Sequence, residues 1–173
     1  SRALIQPEYK GVSLILDIGA HTTDLVIVYN GAPRLIRSIA VGGETLIKSA
    51  SQNLNIDVAQ ATQFVYKFGL TREKLEGQVF KAISPSIDNL IDEVKKSSTF
   101  FAGRYHSAAI EKVIVTGGGS SLPEFPAYLA NAIGVPVEIG NAWVNVAYDG
   151  RLQDTLLSIS SQSGVAAGLA QRN

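Results

Sequence analysis

The chain has 173 residues, enough for one domain with a sizeable core. Apolar residues make up 46% and charged residues 17%, and the formal net charge is zero; this excludes a disordered chain and leaves no basic excess for nucleic acid or an anionic membrane surface. With no cysteine there is no disulfide and no thiolate metal site, and no apolar run approaches the roughly 20 residues of a membrane span.

Val12–Asp17, Leu25–Tyr29 and Arg34–Ala40 read as strands rich in Ile, Leu and Val, with Asn30-Gly31 as the turn between the second and third. Gly42-Gly43 ends the third strand. A helix is expected from Glu44 to about Leu54, with Leu46, Ile47, Ala50 and Leu54 on one face. Asp57 caps a second helix to Phe68, closed by Gly69. Thr71–Ser84 is polar and weakly patterned. Ser84-Pro85 reads as the cap and first position of a third helix bearing Ile87, Leu90, Ile91, Val94 and Phe101. Its charges at Asp92, Glu93, Lys95 and Lys96 mark a solvated face.

Lys112–Thr116 is expected as a strand, Pro123–Ile133 as a helix stopped by Gly134, Val137–Ile139 as a short strand, and Ser161–Ala170 as a small-residue helix. Three antiparallel strands followed by β-α-β give an α/β lobe of βββαβαβα order. Its mixed sheet is covered by helices. Lone His21 and His106 read as hydrogen-bonding surface residues, and Trp143 reads as a packing residue.

Three glycine-bearing stretches carry the chemistry. In "ILDIGAHTTDLVIVYNG", Asp17 ends a strand, Gly19 permits a tight bend and close approach of a ligand, and Thr22 and Thr23 offer hydroxyls. Backbone N–H groups at such a bend form an anion-binding concavity. A carboxylate beside a phosphate requires a cation between them, which points to Mg²⁺ held by Asp17 directly or through water. In "VIVTGGGSSLPEF", Gly117, Gly118 and Gly119 can pass against a flat ring, and Ser120 follows at the start of a helical turn. In "AVGGETL", Gly42 and Gly43 open a helix with Glu44 in its first turn. Each stretch alone also fits an ordinary turn.

Together, in this order, they resemble the second half of the actin-like ATPase superfamily, whose lobes have a ribonuclease H-like fold. Asp17-Ile18-Gly19-Ala20-His21-Thr22-Thr23-Asp24 is similar to the second phosphate motif, and Thr116-Gly117-Gly118-Gly119-Ser120 to the adenosine motif. "LIDEVKKSSTFFAGRY", "GVPVEIGNAWVNVAY" and "SGVAAGLAQRN" resemble the PilM family of type IV pilus assembly proteins, over nearly the whole chain.

That resemblance implies a single actin-like lobe over residues 1–173, with 57–84 as a small helical insertion. It implies a cytoplasmic scaffold that binds ATP and Mg²⁺ and hydrolyses ATP slowly at most. Asp17 would position metal and water; Gly19, Thr22, Thr23, Gly42, Gly43, Gly117, Gly118, Gly119 and Ser120 would hold the nucleotide. The implied partners are the N-terminal tail of PilN, bound chiefly on a first lobe, and other pilus assembly proteins that tie the scaffold to the inner membrane. No first phosphate motif precedes Asp17, and the chain opens Ser1-Arg2-Ala3 without Met. The expectation is therefore an excised second lobe, inactive by itself. Superfamily relatives often place Glu and Lys where Thr62 and Val65 stand, so the resemblance does not extend to those contacts and does not imply adenosine specificity or strong nucleotide binding. A sugar or acetate kinase and an FtsA-like cell-division protein are the alternatives. The first needs a catalytic base, and this chain supplies no obvious one beyond Asp17. The second would carry a longer insertion and a membrane-binding C-terminal helix.

Overall fold

The computed structural model describes residues 2–106 and 108–171. A five-stranded mixed sheet forms its centre: β1 (Val12–Ile18), β2 (Thr23–Tyr29), β3 (Ala32–Ile39), β4 (Lys112–Thr116) and β5 (Val137–Ile139), in the order β3-β2-β1-β4-β5. The β1–β2 and β2–β3 pairs are antiparallel, and β1–β4 and β4–β5 are parallel. The second hairpin turns at Asn30 and Gly31, both at positive φ, the geometry that matches the twist of its flanking strands.

Parallel pairing of β1 with β4 requires a crossover, and the helices α1 (Gly43–Leu54), α2 (Val58–Phe68) and α3 (Gln78–Arg104) supply it. α4 (Phe125–Ile133) crosses from β4 to β5 on the same side. Alternation along β1 and β2 sends Leu14, Leu16, Ile18, Leu25 and Ile27 to this side, where they meet Leu46, Ala50, Val65, Ile83, Ile87 and Leu90 in one buried core. Each such large side chain contributes about 1.5–3 kcal/mol by leaving water. The opposite sheet face is covered more thinly. Ile15, Val28 and Ile114 pack there against Ile5, Leu4 and Tyr9, and Val165 and Leu169 of α6 (Gly164–Ala170), which follows α5 (Gln153–Ile159), line the same side.

Asp57 caps α2 as expected, its Oδ1 accepting from Gln60 N at 2.8 Å, and Gly69 and Gly134 end α2 and α4. The start of α3 differs from the expectation at Ser84-Pro85. The helix begins at Gln78, after Gly77 at positive φ, and runs through Pro85 for 27 residues. Val79, Ala82 and Ile83 extend the buried stripe of Ile87, Leu90 and Ile91 backwards, and that burial outweighs the one backbone bond that proline removes. Pro85 itself is exposed. At the C-terminus, Ser160–Gln162 is a tight 3₁₀ turn, so the last helix starts at Gly164 rather than Ser161. α5 lies where no helix is expected from the sequence; Leu156 and Ile159, with Leu152 just before it, stand at helical spacing, but none of its residues is buried. The 57–84 segment holds α2, a 3₁₀ turn at Lys74–Gly77 and the first turns of α3, with Ala61, Val65, Leu70 and Ile83 joined to the main core.

Candidate nucleotide site

Asp17 is the last polar group before β1 ends. Its register partners are Asp24 on β2 and Thr116 on β4, and Asp24 in turn pairs with Ser38 on β3. A polar rung, Ser38–Asp24–Asp17–Thr116, thus crosses four strands. It opens into a groove also lined by Arg2 and by apolar side chains, among them Val26, Ile36, Val165 and Leu169. Partial burial pushes the Asp17 carboxyl above its ordinary pKa, and the neighbouring Asp24 charge pushes it the same way. A divalent cation would relieve both effects.

The β1–β2 bend is closed by a hydrogen bond from Gly19 N to Thr22 O at 2.9 Å, leaving Gly19, Ala20, His21 and Thr22 exposed. The start of α1 docks on this bend: Gly43 N donates to Gly19 O at 3.0 Å and Glu44 N to Ala20 O at 2.9 Å. Gly42 is required for that docking, since a Cβ there would lie 2.5 Å from Ala20 O. His21 Nδ1 lies 3.1 Å from Glu44 Oε2 on the surface.

The third stretch rises beside the first. Gly117 has φ +82°, and a Cβ on it would lie 2.5 Å from both Asp17 Oδ1 and Ile18 O. A Cβ on Gly119 would strike the Ile18 side chain, whereas Gly118 is exposed with open space around it. The loop is tied down behind: Gly117 N and Thr116 Oγ1 both donate to Ser161 O.

The structure therefore brings the three sequence-marked stretches to one end of the sheet, but it gives their residues different surroundings. Gly19, Thr22 and Gly118 face solvent. Thr23 is fully buried, its hydroxyl donating to Val41 O at 2.7 Å, and Ser120 is buried and donates to Gly117 O at 2.7 Å. Gly42 and Gly43 are buried as well. Among the described residues no three potential metal ligands cluster, so Asp17 and Asp24 could supply a cation with carboxylates only if phosphate and water completed its shell. Within those limits the residues fit a Mg²⁺–phosphate group. Two residues of this region were not marked in the sequence. Asp24 was legible as the other carboxylate of the hairpin, but Tyr66, near Gly43, carried no local signal.

A β3-β2-β1-β4-β5 mixed sheet with glycine turns at the carboxyl ends of its paired parallel strands β1 and β4 defines an actin-like lobe. MreB 5 of Spiroplasma citri bound to AMPPNP shares the fold with a TM-score of 0.69 at 20% identity, over 96% of this chain and 54% of that one. The ethanolamine utilization protein EutJ from Carboxydothermus hydrogenoformans shares it with a TM-score of 0.64 at 19% identity, over 92% and 48%. The chain belongs to the type IV pilus assembly protein PilM family, whose model matches residues 3–173. A solved PilM-PilN type IV pilus biogenesis complex matches it at 29% identity with a TM-score of 0.77, over 98% of this chain and 47% of the matched one. The chain thus spans about half the length of the structures it resembles. None of its described helices is long and apolar enough to cross a membrane.

Proposed function

We propose that this chain is the second lobe of an actin-like, nucleotide-binding scaffold of type IV pilus assembly, with residues 57–84 as its short helical insertion. The observation that carries the reading is the juxtaposition of the exposed β1–β2 bend and the Gly117–Gly119 loop around the Asp17 rung. In open α/β sheets, ligands enter at the carboxyl ends of the strands, where these two loops stand. Gly19 and Thr22 present a bend to phosphate, Gly118 leaves room for a flat group, and Asp17 with Asp24 holds a cation. Thr23, Ser120, Gly42 and Gly43 act from behind by fixing the loops. Bound Mg²⁺ would neutralise phosphate charge and order the water around it.

The actin-like relatives include one solved with AMPPNP, which supports a nucleotide as ligand, and the PilM-PilN complex supports PilN as a partner. The tail of PilN is assigned chiefly to a first lobe. The role is that of a cytoplasmic scaffold coupling inner-membrane pilus proteins to the motor, with slow hydrolysis at most. A nucleotide clamped from two lobes loses charge-assisted hydrogen bonds when one is removed, each about 1.5–3 kcal/mol. Two such bonds amount to roughly two to four orders of magnitude in affinity.

Calorimetric titration of Mg-ATP tests this directly. The full-length protein is expected to bind, and Asp17→Ala to abolish either that binding or its dependence on Mg²⁺. The 173-residue chain alone is expected to bind weakly and to show no measurable ATPase. Unchanged Mg-ATP binding by full-length Asp17→Ala places the site elsewhere.

A further inference from the structure

Helix α2 has two faces. Ala61 and Val65 point into the core, and Val65 is only 1% exposed. Thr62, Tyr66 and Gly69 follow one another at i, i+4 and i+7 along the neighbouring face. Midway along this face, rather than at its Thr62 end, the Tyr66 hydroxyl stands 3.1 Å from the position a Gly43 Cβ would take, beside the junction of α1 with the Gly19–Ala20 bend. At the Gly69 end, a Cβ on Gly69 would lie 2.6 Å from Pro123 O, and Leu70 N donates to the same carbonyl at 3.0 Å. α2 is thereby a wall running from the β1–β2 bend to the segment that follows Gly117–Gly119. Tyr66, 40% exposed, is its aromatic group nearest the bend.

Two other polar side chains of α2 have local partners. Thr62 Oγ1 donates to Val58 O at 2.7 Å, and the Lys67 ammonium lies 5.5 Å from the centre of the Phe68 ring. With Val65 sealed in the core, no cation reaches the wall from that position. Resting on the nucleotide reading above, we infer that Tyr66 is the specificity-determining residue for the base, providing a ring on which a purine stacks instead of hydrogen-bond donors that read its edge. Stacking accepts any flat base, so adenine and guanine nucleotides bind with comparable affinity.

The test uses the full-length protein with three probes: Mg-ATP, Mg-GTP and Mg-tripolyphosphate, the last having no base. Tyr66→Ala is expected to weaken Mg-ATP and Mg-GTP by roughly tenfold and to leave Mg-tripolyphosphate within about twofold. Tyr66→Phe keeps the ring and is expected to bind all three like the wild type. Circular dichroism of both variants reports folding. The inference is overturned if Tyr66→Ala leaves ATP affinity unchanged, or weakens tripolyphosphate as much as ATP, or if the wild type prefers ATP to GTP by a hundredfold. It is also overturned if wild-type affinities for ATP and tripolyphosphate are equal, an outcome that spares the phosphate site. Wild-type protein that binds none of the probes removes the nucleotide reading itself, and this assignment with it.

Discussion

The two faces of β1 meet very different surroundings. Leu14, Leu16 and Ile18 enter a continuous core under α1, α2, α3 and α4, while Ser13, Ile15 and Asp17 face a thin cover made by the N-terminal segment and groove residues of α6. One strand with a side-chain period of two therefore carries stability on one side and a half-buried carboxylate on the other. The contrast teaches that the site is placed by the core without being built from it. Asp17 is held at a fixed height because its neighbours Leu16 and Ile18 cannot move, yet its own side is open enough to admit a ligand.

Mutations on the packed side should have the largest effects. Leu16→Ala is expected to cost about 3–5 kcal/mol of unfolding free energy, measured by urea denaturation, because Leu16 is fully buried in a core closed on every side. Ile15→Ala, on the thin side, should cost clearly less; equal losses would break the distinction between the faces. Next comes Gly117→Ala, which places a side chain at φ +82° and against Asp17 and the Ile18 carbonyl. About 2–4 kcal/mol is expected from the left-handed backbone and the overpacking together. Gly118→Ala, in open space, should stay within about 0.5 kcal/mol.

The smallest effect sharpens the comparison most. Asp17 has its pKa raised by burial and by Asp24, so the folded chain holds this proton more tightly than the unfolded chain. The stability attached to it is full below the ordinary carboxylate pKa and is lost as pH rises through the raised folded value. Asp17→Asn should therefore melt slightly higher than the wild type at pH 7 and show a flatter stability profile across the acidic range. A lower melting temperature at pH 7 would mean that the ionised carboxylate already has a compensating partner in the ligand-free protein.

Much of this was legible in the sequence because period and punctuation agreed. The runs of β2, β3 and β4 are closed by Asn-Gly, Gly-Gly and Gly-Gly-Gly breaks respectively, and Asp57 and Gly69 bracket α2 by chemistry alone. The start of α3 was illegible because Ser84-Pro85 satisfies the local rule for a helix beginning, whereas the deciding contacts of Val79, Ala82 and Ile83 lie on other elements. α5 is too short for its apolar spacing, Leu152, Leu156 and Ile159, to distinguish a helix from a loop, and none of its residues is buried. Within the site, the residue types that mark the bends were visible, but their access to solvent was not. Whether a threonine hydroxyl faces outward, as at Thr22, or bonds inward, as at Thr23, depends on strand alternation next to Val41. Tyr66 became visible only once α1 and α2 had packed together.

The rung that joins Asp17 to Thr116 also has a meaning in time. The three-stranded meander β1–β2–β3 is local and can form early, but it contains only the β1–β2 bend. Its parallel partner β4 lies roughly a hundred residues further along the chain, and bringing such distant segments together carries a loop-closure cost that local hairpins avoid. The two halves of the candidate site therefore meet only when β4 inserts beside β1. A chain halted before that step has its hairpin, and even its polar bend, but only one half of the candidate site.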